Sequence, residues 1–225
     1  MRLVIVRHGQ SANNANVGIA PRVADPYLTE IGERQAELVG KALRALDIDL
    51  LYVSPMRRTL QTAAPIAAES GLQPRVFTGL HEWGGVYEER DGNQAHYPGL
   101  TRDEMLAIIP NLVLPEDVTP QGWWTGDLDV TQMEAVVERS RTNAIRYLDY
   151  LAARYPSDVT VAVITHGGFG SHLLEAALHV EPHSQYLMRF QQANTGHALI
   201  ELGDQERRLH WHNRIDHLPQ ELITY

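Results

Sequence analysis

Two short apolar runs constrain this chain more than anything else in it. Leu3-Val4-Ile5-Val6 and Val159-Thr160-Val161-Ala162-Val163-Ile164 stop abruptly, the first at Arg7-His8-Gly9 and the second at Thr165-His166-Gly167-Gly168. Short runs that are apolar on both faces are what parallel strands look like when helices cover both sides of their sheet. A third run, Leu50 to Val53, stops at Ser54-Pro55. Between the strands lie helical patterns. From Leu28 to Leu46, the residues Ile31, Leu38, Val39, Ala42, Leu43 and Leu46 recur at helical spacing. A second helix is expected from Arg57 to Ser70, with Pro65 kinking it or delaying its start. Strands alternating with helices give an α/β fold built on a mainly parallel sheet.

The stretch from about 80 to 130 has a different character. Gly84-Gly85, Gly92, Pro98-Gly99, Pro110, Pro115, Pro120, Gly122 and Gly126 mark an irregular, lid-like insertion in a single domain spanning 1–225. It contains one short helix, opened by the T-x-x-E capping box of Thr101 and Glu104. A second such box, Thr131 and Glu134, opens the longest helix, which runs to Arg154. Its expected buried face carries Met133, Val137, Ser140, Ala144, Leu148 and Leu151. A further helix follows His166 as far as Leu178. Strands are expected at Tyr186–Phe190, His197–Leu202 and Arg207–His212, the last two forming a hairpin through Gly203-Asp204 that adds an antiparallel edge.

Composition narrows the functions available. The formal net charge of the 225 residues is −9, a poor match for a surface that grips nucleic acid phosphates. Cysteine is absent, which removes disulfides, thiolate metal sites and thiolate nucleophiles. The first apolar run is too short for a signal peptide and no stretch approaches a membrane span, so a cytoplasmic protein without membrane or nucleic acid partners is expected.

The chemistry is expected at the ends of the strands. In open α/β sheets, sites form at the carboxyl ends of strands, so loops there can present His8 and His166 to one crevice. Gly9 and Gly167 lack a β-carbon and would let backbone approach an anion. Arg7 precedes His8, and Arg57-Arg58 follow the third strand. Clustered guanidiniums beside two imidazoles suit a compact dianion such as a phosphoryl group. Blander readings stand beside this one: histidines bonded to buried carbonyls, arginines on a solvated helix start, Glu82 as a plain loop carboxylate. Arginine at a helix N-terminus is mildly disfavoured by the helix dipole, which favours a functional reason for it.

Taken in order, these motifs resemble the histidine phosphatase (phosphoglycerate mutase-like) superfamily. They are Arg7-His8-Gly9, Asn14, Leu28-Thr29-Glu30-x-Gly32-x-x-Gln35-Ala36, Ser54-Pro55-Met56-x-Arg58 with Gln61-Thr62-Ala63, Leu80-x-Glu82 and Thr165-His166-Gly167-Gly168. Asn194-Thr195, Asn213 and Asp216-His217-Leu218 extend the likeness to about residue 218. The resemblance implies a three-layer α/β/α sandwich in which His8 attacks phosphorus to form a phosphohistidine. Arg7, Arg58 and His166 would make the cationic phosphate pocket, with Asn14 and the Gly167 N–H as further contacts. Glu82 would protonate the leaving oxygen, and Arg57 could touch substrate. The resemblance asks for no metal and no cofactor. Charge balance agrees: guanidiniums disfavour a protonated His8 and stabilise phosphoryl oxygens during transfer.

Departures from the family pattern bear on the reaction. Gln10 stands where the mutase branch has glutamate, and Ala15 to Ile19 lack the mutase run of Phe-Thr-Gly-Trp. The insertion after Glu82 also lacks the mutases' tyrosine-aspartate-proline-rich segment. These features favour the phosphatase branch: a metal-independent phosphomonoesterase that takes a small phosphorylated metabolite and releases inorganic phosphate. A phosphoglycerate mutase and a non-catalytic phosphate-binding module are the alternatives. Asp127-x-Asp129-x-Thr131 imitates another phosphatase motif but lacks the apolar strand that must precede it. His210-x-His212 reads as ordinary strand residues rather than zinc ligands, and Trp123-Trp124 as a packing anchor. An exposed edge strand would permit a homodimer.

Overall fold

The protein is described from a computed structural model, which covers all residues except 91–92, 127–130, 182–187 and 204–205. Its centre is a six-stranded sheet with strands β1 (Arg2–Arg7), β2 (Leu50–Val53), β3 (Arg75–Val76), β6 (Thr160–Thr165), β7 (His197–Leu202) and β8 (Arg207–Arg214). The spatial order is β3-β2-β6-β1-β7-β8, with β3, β2, β6 and β1 mutually parallel. β7 runs antiparallel to both β1 and β8, so the antiparallel edge is present as expected. β1 and β6 lie side by side in register from Arg2↔Thr160 to Arg7↔Thr165.

Alternation along each strand builds two cores. Val4, Val6, Leu51, Val53, Ala162 and Ile164 face the side covered by α2 (Glu30–Leu43) and α3 (Arg57–Ser70). Leu3, Ile5, Tyr52, Val161 and Val163 face the side covered by α5 (Met133–Arg154) and α6 (Gly167–Ala177). Side chains two apart share a face, so neighbouring residues of one apolar run feed opposite layers. The result is a three-layer α/β/α sandwich. The remaining helices are α1 (Ala12–Ala15) and α4 (Arg102–Ile108), the latter opened by the Thr101–Glu104 capping box.

Five expectations need correction. α3 starts at Arg57 and runs through Pro65 without ending, packed closely on α2 at Gly40. The insertion contains a two-stranded hairpin, β4 (Tyr87–Arg90) with β5 (Asn93–His96). α5 begins at Met133 with Gln132 at the N-cap, so Thr131 and Glu134 do not form its capping box. The buried face uses Val136 and Tyr147, whereas Met133 is exposed and Leu148 only partly buried. Val136 packs on Trp83, Tyr87 and Trp124, and this contact sets how the first turn of α5 is rotated. Residues 188–190 are not strand, while the rest of the expected Tyr186–Phe190 strand and the Gly203-Asp204 turn fall partly outside the described residues. No helix among the described residues is long and apolar enough to cross a membrane.

Candidate active site

Four parallel strands deliver the candidate residues at their carboxyl ends. His8 follows β1, His166 follows β6, Arg58 lies in the first turn of α3 beyond β2, and Glu82 follows β3 after a 3-10 turn at Thr78–Leu80. Because β1 and β6 are adjacent and in register, the two imidazoles leave the sheet together, their ring centroids 5.2 Å apart and nearly edge-on.

His8 is 4% exposed and fixed at both nitrogens. Its Nδ1 lies 2.7 Å from the Gly9 carbonyl, and a carbonyl only accepts, so Nδ1 carries the proton. The Nε2 lone pair accepts from Arg58 Nε–H at 3.0 Å. Burial, then the charges of Arg58 and Arg7, push its pKa well below the ordinary 6.5, and the Gly9 bond opposes them only in part. His166 is wholly buried behind His8, its Nε2 2.8 Å from Ser54 Oγ. Burial, followed by Arg58, holds its pKa well down too.

The cations are held from behind. Arg7 donates to the Gln192 carbonyl. Arg58 Nη1 lies 3.9 Å from Asp25, a nearly buried carboxylate that also accepts from the Arg57 N–H. Burial lowers the Arg58 pKa to about 10, with Asp25 opposing the shift. Arg7 Nε, Arg58 Nη1 and His166 Nδ1 are buried without hydrogen-bond partners among the described residues. Asn14 Oδ1 accepts from the Ser11 N–H and hydroxyl and from Asn194 Nδ2, which leaves its own amide N–H groups for another partner. Glu82 sits at the N-terminus of α6, accepting from the N–H groups of Trp83 at 3.1 Å, Gly168 at 3.2 Å and Phe169 at 3.0 Å. The charge of a carboxylate suits that end of a helix.

Arg7, His8, Asn14, Arg58, Glu82 and Gly167 all line one cavity of about 420 Å³. His166 is close behind it rather than on its wall. A larger groove of about 890 Å³ lies against α5 and α6, lined in part by Arg141, Glu175 and Arg207, and holds none of these groups. Chemistry, not volume, marks the smaller cavity.

Arg57 is not on the cavity wall; its backbone N–H donates to Asp25. Gly9 is small for packing rather than for an anion: a Cβ there would lie 2.5 Å from the Gly32 carbonyl oxygen. The Asp127 and Asp129 motif lies outside the described residues. His210 pairs with Glu201 at 3.0 Å and His212 packs against Phe190. Among the described residues no group of three or more His, Asp or Glu could hold a metal ion. Trp123 is buried over Gly99, and Trp124 lies over Gly85, so the pair anchors the insertion.

Sequence reasoning missed the supports: Asp25, Ser54 as the His166 partner, and Thr62, whose hydroxyl accepts from the Gly9 N–H and donates to the Arg58 carbonyl. It also missed Asn194 as the residue that binds the His8 carbonyl. Ser54, Thr62 and Asn194 stand inside the quoted motifs, so a signal existed, whereas Asp25 carried none.

The chain matches three curated relatives over stretches that span only 15%, 38% and 34% of their lengths. It is 28% identical over 181 residues to a glucosyl-3-phosphoglycerate phosphatase of Mycolicibacterium vanbaalenii, covering 79% of this chain and 74% of that one. Among solved structures it resembles a mycobacterial glucosyl-3-phosphoglycerate phosphatase complexed with VO3, with a TM-score of 0.64 and 22% identity over 95% of this chain and 99% of that one. It also resembles a phosphoserine phosphatase mutant of Entamoeba histolytica in complex with phosphoserine, with a TM-score of 0.63 and 21% identity over 97% and 99%. The profile of the histidine phosphatase superfamily (branch 1) matches residues 3–215, and the chain belongs to that family.

Proposed function

We propose that the protein is a phosphomonoesterase that works through a phosphohistidine at His8 and acts on small phosphorylated metabolites. The observation that carries this reading is the neutral His8, its Nε2 lone pair at the cavity between two arginines with buried, unpartnered donors. Glu82 lies on the same wall. In the first step Nε2 attacks phosphorus, the P–O ester bond breaks, and protonated Glu82 gives its proton to the departing oxygen. Arg58 Nε–H, released from Nε2, turns to a phosphoryl oxygen, beside Arg7, Asn14 and the Gly167 N–H. In the second step water attacks phosphorus, Glu82 accepts a proton from it, the P–N bond breaks and phosphate leaves.

The cavity favours a small molecule over a polymer, and the names of the relatives, which concern phosphoserine and glucosyl-3-phosphoglycerate, point the same way. The mechanism gives no role to a metal. Phosphate release from 4-nitrophenyl phosphate in the presence of a chelator tests the reading. Native protein is expected to stay active and His8→Ala to lose about 10³-fold or more in kcat. Rapid acid-free quenching should trap phosphate on His8. An active His8→Ala protein, or release abolished by the chelator, would sink the mechanism.

A further inference from the structure

One cation on the cavity wall has no part in the chemistry above. Arg22 lies in the loop between α1 and α2 and lines the same cavity as His8 and Arg58. Among the described residues it makes no ion pair, and its buried Nε has no hydrogen-bond partner. The one acid nearby in sequence, Asp25, is committed to Arg58 and the Arg57 N–H. The Arg22 charge is also felt at Arg58, whose proton affinity it helps to lower.

Arg22 is nevertheless held in place from two sides. The amide of Asn13 clamps the next residue, accepting from the Val23 N–H at 2.9 Å and donating to the Val23 carbonyl at 2.9 Å. The guanidinium lies over the Tyr87 ring, its central carbon 4.6 Å from the ring centroid. Stacking uses the flat face of a guanidinium and leaves its edge of N–H donors free, the edge that binds oxyanions bidentately. A partly desolvated cation beside two other arginines is costly unless a counter-charge arrives. The phosphoryl group already has Arg7, Arg58, Asn14 and the Gly167 N–H.

We infer that Arg22 is a specificity-determining residue that receives a second oxyanion of the substrate, a carboxylate or a second phosphate, so that the preferred substrates are phosphorylated acids or bisphosphates rather than phosphorylated neutral alcohols. This rests on the phosphomonoesterase reading. The test compares native protein, Arg22→Gln and Arg22→Lys on 3-phosphoglycerate, glycerol 3-phosphate and fructose 1,6-bisphosphate. Native protein is expected to favour 3-phosphoglycerate or the bisphosphate over glycerol 3-phosphate in kcat/KM. Whichever of the two leads identifies the second anion. Arg22→Gln should lower that preference about 10- to 100-fold, chiefly through KM, the value of a charge-assisted hydrogen-bonded pair. Arg22→Lys should restore part of it. No preference in the native protein, or a preference unchanged in Arg22→Gln, overturns the inference. So does an equal loss on all three substrates, which would place Arg22 in the phosphoryl pocket. If native protein hydrolyses none of them, release from 4-nitrophenyl phosphate decides the phosphomonoesterase reading, and calorimetry decides on Arg22 alone. The Gln variant must then bind 3-phosphoglycerate and fructose 1,6-bisphosphate less tightly, relative to inorganic phosphate, than native protein does. Unchanged relative affinities for both overturn the inference.

Discussion

At the scale of single residues, the surroundings of His8 suit the attack proposed for it. Burial and two guanidiniums stabilise the neutral ring, so its titration, followed by NMR of the imidazole, should lie well below 6.5. In the proposed reaction the acid limb of kcat/KM assigned to His8 shifts down with it. A limb near 6.5 that vanishes on altering His8 would contradict the assignment. Glu82 should matter in proportion to the leaving group. Glu82→Gln is expected to lower kcat by about 10²- to 10⁴-fold on alkyl phosphates, and far less on 4-nitrophenyl phosphate, whose phenolate leaves without a proton. Comparing the two substrates checks this. Asp25 acts through Arg58. Asp25→Asn leaves a buried guanidinium without its counter-charge, and urea unfolding should show a loss of about 3 kcal/mol.

Elements meet closely enough at Gly168 and Gly32 for a single carbon to matter. A Cβ on Gly168 would lie 2.2 Å from the Trp83 indole, next to the Glu82 carboxylate that rests on the Gly168 and Phe169 N–H groups. Gly168→Ala is therefore expected to cost about 1–3 kcal/mol in stability and, by displacing Glu82, about 10²-fold in kcat. Thermal unfolding beside steady-state kinetics would show whether the two losses occur together. A Cβ on Gly32 would meet the Gln10 carbonyl oxygen at 2.1 Å, which explains why Gly9 and Gly32 belong to one pattern: β1 leaves the sheet across the start of α2. The major strands and helices could be read from the chain because buried runs and helical spacing are written in side-chain type. β3 has only Arg75 and Val76, too short to carry a period. The β4–β5 hairpin, rich in charged and amide side chains, pairs with itself rather than with the sheet, so nothing in it announces a core. The start of α5 misled for another reason. A local cap at Thr131 lost to the packing of Val136 on two tryptophans.

For the molecule as a whole, buried imidazoles set the response to acid. His8 and His166 are held well below 6.5, and His197 and His217 at about 4. The unfolded chain takes up protons at these positions near pH 6.5, whereas the folded chain does not until lower pH. Stability should thus be full above pH 6.5 and fall as the pH drops towards 4. Urea midpoints at pH 7.5, 6 and 5 measure it, and a flat profile would mean that these rings are not kept neutral. Much of the candidate site was legible because its residues cluster at strand ends. Its supports come from loops far apart in sequence, and only the folded chain reveals that Asp25 and Asn194 serve neighbouring groups. Chain order has a consequence for synthesis as well. Val4 at the middle of β1 pairs with Ala162 and Leu199, which are 158 and 195 positions further on. At a translation rate of about 5–20 residues per second, that apolar strand waits roughly 8 to 40 s for its neighbours. The segment that carries the candidate nucleophile is thus left open to mispairing until those neighbours have been made, and the yield of folded protein should depend on how well the cell shelters it.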